Sequence, residues 1–296
     1  GLSRFDGENF KNYIYDEDNK YSIPSNIINS LAEGPDGSIW LGTAKGLCRY
    51  DPVEDSFHKF ECEEFDIVIG IDHVAFDKQG NLWALNGSGT YFVSRNHNDN
   101  RFYPASDYFW PTGITITQAG QICILGNDGS LHIFEASRGE VSSYRILSEE
   151  EIGQNISIFR VLEYSAGELL ITTSNAGARI LSLNTGEVTQ LFTTGADGNQ
   201  IYIHCALQPY PGEFWFGSET GIHVFKIGIG FTDHLTKKYD SNYSLSDNAV
   251  HSLYIDREKG IWAGTFFGGL NYLSSDNTVF EKYLPFTKHE AVVIQV

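Results

Sequence analysis

The sequence predicts an all-β chain, a seven-bladed β-propeller of four-stranded antiparallel blades, and three observations predict it. A segment built around a turn and an aromatic strand recurs six times at a period in the low-to-middle forties, the length of one four-stranded blade. Glycine supplies 30 of the 296 residues, a density that suits repeated tight turns. No stretch longer than a few residues carries the 3.6-residue apolar period of a helix.

The repeat is clearest in GPDGSIWLGTAKGLCRYD (34–51), DREKGIWAGTFFGGLNYL (256–273) and YPGEFWFGSETGIHVF (210–225). Weaker copies are DKQGNLWALNGSGTYFV (77–93), TQAGQICILGNDGSLHIF (117–134) and YSAGELLITTSNAGARIL (164–181). The aromatic position is held in chain order by Trp40, Trp83, Cys123, Leu170, Trp215 and Trp262, spaced by 43, 40, 47, 45 and 47 residues.

Each element of the repeat follows from local chemistry. A short alternating first strand (28–31, 74–76, 250–254) leads into a polar turn ending in Gly, where a positive φ lets antiparallel strands reverse. The second strand carries the large flat residue that fills the space between stacked sheets. The Gly-Thr or Gly-Ser that follows lets the next blade approach. A second Gly turn opens the third strand, and a fourth ends in an aromatic, as in SFHKF (56–60) and TVFEKY (278–283). Complete blades are expected near 27–60, 67–103, 112–145, 156–192, 201–235 and 248–283 of a single domain spanning 1–296. Residues 1–13 match only third and fourth strands and 289–296 only a first strand. The two termini are therefore expected to close a seventh blade and so remove free sheet edges. That blade would lack its second strand, so the native chain is expected to continue at one or both ends.

The strings NIINSLAEGPDGSIWLGTAKGLCRYDP, SLSDNAVHSLYIDREKGIWAGTFFGGLNYL and the opening GLSRFDGENFKNY resemble two-component regulator propeller repeats. The resemblance implies a periplasmic sensor region of a hybrid two-component histidine kinase, reading oligosaccharides released from polysaccharide. It implies a second propeller in the same chain, a homodimer partner, and kinase domains beyond this piece. This stretch would then be no enzyme itself.

Composition limits the alternatives. A formal charge of −18 disfavours nucleic acid and anionic membrane surfaces, and no run of about 18 apolar residues is present. The same charge would repel a strongly anionic glycan, which points to a neutral or weakly charged one. Cys48, Cys62, Cys123 and Cys205 lie far apart without metal-ligand spacing and read as core residues. The nine His residues show no i, i+4 pair followed by a carboxylate, so no metal and no cofactor is expected. The run Glu149, Glu150, Glu151 reads as a solvated connection. Catalytic carboxylates of a glycoside hydrolase or lyase, and a pure protein-docking scaffold, stand as the competing functions; GxSxG is absent.

Ligands of propellers gather where the connections between blades and the turns between second and third strands emerge on one face. There the segment YPASDYFWPTG (103–113) supplies Asp107, Tyr108, Phe109 and Trp110, aromatic planes on which sugar C–H faces can stack. The same rings also suit a covering role at the blade junction, and both readings stand. Tyr202, His204, Phe266 and Phe267 are the second set, with His204 on an innermost strand.

Overall fold

Short strands joined by Gly turns pair with their sequence neighbours, so the sheets form locally and in order. The computed structural model describes residues 1–62, 70–106, 109–137, 139–276 and 279–283. They form two units, Gly1–Arg145 and Ile146–Val296.

In the first unit, β1 (Leu2–Phe5) and β2 (Phe10–Tyr13) make a two-stranded sheet. Three four-stranded blades follow. They are β3 (Ile28–Glu33), β4 (Ile39–Thr43), β5 (Gly46–Asp51) and β6 (Ser56–Lys59); then β7 (His73–Phe76), β8 (Leu82–Asn86), β9 (Gly89–Val93) and β10 (Asn100–Pro104); then β11 (Pro111–Ile116), β12 (Ile122–Gly126), β13 (Ser130–Glu135) and β14 (Gly139–Arg145).

The second unit opens with α1 (Glu149–Gly153) and has three blades. They are β15 (Ile158–Ser165), β16 (Glu168–Thr173), β17 (Ala178–Ser182) and β18 (Val188–Phe192); then β19 (Ile203–Tyr210), β20 (Glu213–Ser218), β21 (Gly221–Lys226) and β22 (Gly230–Leu235); then β23 (Val250–Ile255), β24 (Ile261–Thr265), β25 (Gly269–Leu273) and β26 (Glu281–Tyr283). Every pairing is antiparallel between consecutive strands.

Among the described residues the propeller thus has six four-stranded blades, not the seven expected. Among the described residues β1 and β2 pair only with each other, because residues 1–13 encode only an outer strand pair. The expected closing strand, 289–296, lies outside the described residues. Asp55 fastens this small sheet to the first blade. Its carboxylate accepts hydrogen bonds from Tyr13 and Tyr50 and pairs with Lys11. Leu2 and Tyr13 pack on the blade core of Ile23, Leu41, Cys48, Tyr50 and Phe57.

In four of the blades a turn carboxylate does more than the sequence suggests. Asp77 Oδ1 accepts from the backbone N–H of Gln79 (3.0 Å) and Asn81 (2.8 Å), while its Oδ2 accepts from Trp83 Nε1 (3.1 Å). Asp256 repeats this with Glu258, Gly260 and Trp262. The first turn routes the contact through Ser38, and Glu213 serves Trp215 directly. The turn is therefore tied to the ring that fills the blade, and Gly80 at φ +82 makes the reversal possible. The small residue after the aromatic position allows close approach, as expected. A Cβ on Gly217 would lie 2.4 Å from Cys205 Sγ and 2.9 Å from the Val250 carbonyl oxygen of the next blade.

The acidic run 149–151 is not a loose connection. Ser148 caps α1, its hydroxyl accepting from Glu151 N–H while the Glu151 carboxylate accepts from Ser148 N–H. Glu151 also pairs with Arg179, which is only 8% exposed. Burial would raise the Glu151 carboxyl, but the hydrogen bonds from Arg179 and Ser148 outweigh it and hold it below the ordinary carboxylate range.

None of the four cysteines forms a disulfide; Cys48, Cys123 and Cys205 are buried and Cys62 is half-buried. Burial pushes the Cys48 and Cys205 thiols up to about 12. A thiol reagent at pH 8 should therefore label at most one cysteine in the native protein and all four after denaturation. Asp77→Ala should destabilise the fold by about 1–3 kcal/mol, read from urea midpoints, because it leaves the buried Trp83 indole N–H without an acceptor. An unchanged midpoint would show that the turn clamp is dispensable.

Candidate functional site

The site begins with a defect in a strand. In each blade of the second unit the first strand slips by one residue against the second, between Ile158 and Arg160, Ile203 and Cys205, and Val250 and Ser252. Such a bulge leaves one residue out of the ladder and re-aims its side chain. The residues released are Phe159, His204 and His251. They occupy one repeat position on neighbouring strands, and they meet.

The His204 and His251 rings stack at 4.0 Å with 17° between their planes. Phe159 lies edge-on to Tyr202 at 5.8 Å and to His204 at 6.3 Å, and Tyr202 lies 5.0 Å from His204. On the other side His251 contacts Phe266 at 5.1 Å, and Phe266 meets Phe267 edge-on at 4.6 Å. The chain of rings is closed off by Glu219, whose Oε1 is 2.7 Å from His204 Nε2 and 3.9 Å from His251 Nε2. Tyr202 is 42% and Phe267 60% exposed, so apolar ring surface faces water at both ends of a polar centre. Burial, and then the neighbouring His204, hold the His251 imidazole below its ordinary value and favour its neutral form. Arg160 donates from Nε to the His204 carbonyl (3.4 Å) and lies 5.8 Å from the Phe159 ring centroid. Burial lowers its guanidinium from the ordinary value.

Glu219, Phe266 and Phe267 sit on turns between second and third strands, and buried hydroxyls shape those turns. Ser218 Oγ donates to Gly221 O (3.1 Å) and accepts from Thr220 N–H (3.1 Å), and Thr265 Oγ1 donates to Gly269 O (2.9 Å). This is the structural work of the Gly-Ser and Gly-Thr pairs. His223 adds a second clamp on the Glu219 turn. Ala196 N–H donates to its Nδ1 (3.0 Å), which assigns the ring proton to Nε2, facing Ser218 Oγ (3.1 Å) and Thr220 Oγ1 (3.0 Å).

The structure brings the second-ranked set together: Tyr202, His204, Phe266 and Phe267 share one surface. In the first unit, Phe109 is half-buried against the core of its blade. A Cβ on Gly126 would lie 2.7 Å from its ring, which also packs on His132 at 4.1 Å. His132 in turn lies between Asp128 Oδ1 (3.4 Å) and Glu140 Oε2 (3.1 Å, not aligned for a hydrogen bond). Trp110 is 51% exposed. Asp107 and Tyr108 lie outside the described residues. Two clefts of that unit, about 700 Å³ beside Lys11, Tyr13 and Asp55 and about 450 Å³ beside Trp40, Phe60 and His97, contain none of the expected residues. His251, Glu219 and Phe159 were missed. The signal for Phe159 and His251 was available in the repeat alignment, where they fall in one column with His204.

A model of the two component regulator propeller matches residues 22–45 and 244–267. The chain carries two-component regulator propeller repeats. The second matched segment contains His251, Phe266 and Phe267, so half of the ring cluster is built on such a repeat. Histidine kinase P4 of Formosa agariphila is 30% identical over 95 residues, covering 29% of this chain and 7% of the kinase. The extracellular domain of a one component system from B. thetaiotaomicron superposes with a TM-score of 0.73 at 19% identity, over 96% of this chain and 36% of that one. A streptogramin B lyase superposes with a TM-score of 0.70 at 17% identity, over 92% of this chain and 87% of that one. Both superpositions show the propeller fold. The chain spans well under half of the kinase and of the extracellular domain. Among the described residues no helix is long and apolar enough to cross a membrane.

The clamp on the Glu219 turn is pH-sensitive. Burial, and then the neighbouring His234, lower His223 from 6.5 to about 4. Between those values the unfolded chain binds the extra proton, so stability should fall as pH drops from 6.5 towards 4 and be fully present above 6.5. Denaturant unfolding at pH 7 and pH 5 should show a smaller loss in His223→Gln than in the parent. An identical loss in both would remove His223 from the account.

Proposed function

We propose that this chain is an extracytoplasmic, periplasmic ligand-sensing propeller domain of a hybrid two-component signalling protein, and that it recognises an oligosaccharide from polysaccharide breakdown. The observation that carries the reading is the surface on which Tyr202 and Phe267 expose ring faces on either side of His204, His251 and Glu219. A sugar presents apolar C–H faces and a rim of hydroxyls. Rings that flank a cluster of donors and acceptors match both features of one molecule. The repeats support the signalling context, and the similarity to an extracellular domain supports the compartment.

Binding becomes a signal only if it favours one arrangement of the receptor over another. A second propeller of the same chain and a homodimer partner would supply the bodies whose arrangement changes, and the cytoplasmic kinase would read it.

Titration calorimetry with a panel of neutral oligosaccharides tests the reading. Tyr202→Ala and Phe267→Ala should each weaken binding roughly two- to tenfold, the worth of one aromatic contact at about 0.5–1.5 kcal/mol. Trp110→Ala should leave it unchanged. Loss of binding in Trp110→Ala alone would move the site to the first unit. Time-dependent cleavage of any sugar, abolished in Glu219→Gln, would replace sensing by catalysis.

A further inference from the structure

We propose that His204, Glu219 and His251 form a binding site for one divalent transition-metal ion of the zinc class. The donor set is two imidazole nitrogens and one carboxylate oxygen, the mixture that suits zinc and its neighbours rather than calcium or magnesium, which take oxygen ligands. The three donor atoms all lie within 4.8 Å of one another.

The distances are close to what an ion needs. Bonds of about 2.0–2.2 Å in a tetrahedral site put neighbouring donors roughly 3.3–3.5 Å apart. Here the carboxylate oxygen is 2.7 Å from one nitrogen and 3.9 Å from the other, so both carboxylate–imidazole separations change by less than about 1 Å, while the two imidazoles, stacked at 4.0 Å, would turn out of their stack to aim both nitrogens at the ion. Glu219 is the group free to make the adjustment, with its side chain 57% exposed on a two-residue turn, whereas the histidine side chains are 10% and 19% exposed. The bulges on β19 and β23 fix where the two imidazoles emerge, so the ion would bridge neighbouring blades. An overall charge of −18 raises the local concentration of cations. Three protein ligands would leave one coordination position for water.

The inference goes beyond oligosaccharide recognition, and its test uses no sugar. The competing explanation is a simple hydrogen-bonded pair of His204 and Glu219 with His251 stacked alongside. Chelator-treated protein is titrated with Zn²⁺ by calorimetry and with Co²⁺ by visible absorption. One ion should bind per chain, Co²⁺ should develop the intense bands of tetrahedral coordination, and Ca²⁺ should not compete. His204→Ala, His251→Ala and Glu219→Gln should each weaken binding at least roughly tenfold, while His58→Ala, in the other unit, should leave it intact. Glu219→Gln alters only a surface turn and keeps the test valid should a histidine variant fail to fold. No zinc binding by the parent, equal affinity in Glu219→Gln, or full competition by Ca²⁺ would overturn the proposal.

Discussion

Everything at the candidate site depends on one constraint, the single-residue slip between the first and second strands of a blade. An unbroken ladder would alternate side chains strictly between the two faces of the sheet. The slip takes one residue out of that alternation at the same point of each blade in the second unit. Because the blades repeat, the released residues Phe159, His204 and His251 recur at a fixed spacing and meet. A similar slip occurs between Ile28 and Ser30 and between Pro111 and Gly113 in the first unit. There the released residues are Asn29 and Thr112. Asn29 donates from Nδ2 to Ile71 O (3.0 Å) of the next blade. The same backbone device thus serves packing in one unit and a cluster of titratable rings in the other, and the side chain at one repeat position decides which.

The second layer of support is polar and buried. A turn carboxylate holds the indole of the second strand, and a hydroxyl at the far end of that strand closes the next turn. Both satisfy donors that burial would otherwise leave without partners. They also explain how three separate chain segments deliver donors to one point. Glu219 is placed by Ser218, Thr220 and His223, and Phe266 by the hairpin that Thr265 closes. Phe266 and Phe267 are thus presented by a turn whose backbone is already fixed.

The fold was legible because its signals are periodic: Trp40, Trp83, Trp215 and Trp262 mark second strands, and the Gly-Thr or Gly-Ser two residues after Trp40, Trp215 and Trp262 marks the close approach. The count of blades was less legible, since residues 1–13 carry only two strands and the expected closing segment lies outside the described residues. Glu149 and Glu150 are exposed as expected, but Glu151 was misread because a charge run does not reveal a buried arginine such as Arg179 approaching from elsewhere in the sequence. At the site, His204, Tyr202, Phe266 and Phe267 followed from the face on which connections and turns emerge. His251 and Glu219 did not, because motif spacing searches for ligands close in sequence. Here the donors come from two strands and a turn, separated by 15 and 32 residues. For Phe109 the sequence left stacking and covering readings open, and its ring lies over Gly126 and against the core, in line with the covering one.

The central claim is that the released residues of neighbouring blades create the ligand surface of this propeller. A crystal structure of the chain soaked with an oligosaccharide mixture from digested polysaccharide addresses it most directly. The account predicts density for a sugar ring stacked on Tyr202 or Phe267, with hydroxyls directed at His204, His251 and Glu219. Sugar density confined to Trp110, or to the cleft beside Lys11, Tyr13 and Asp55, would contradict it.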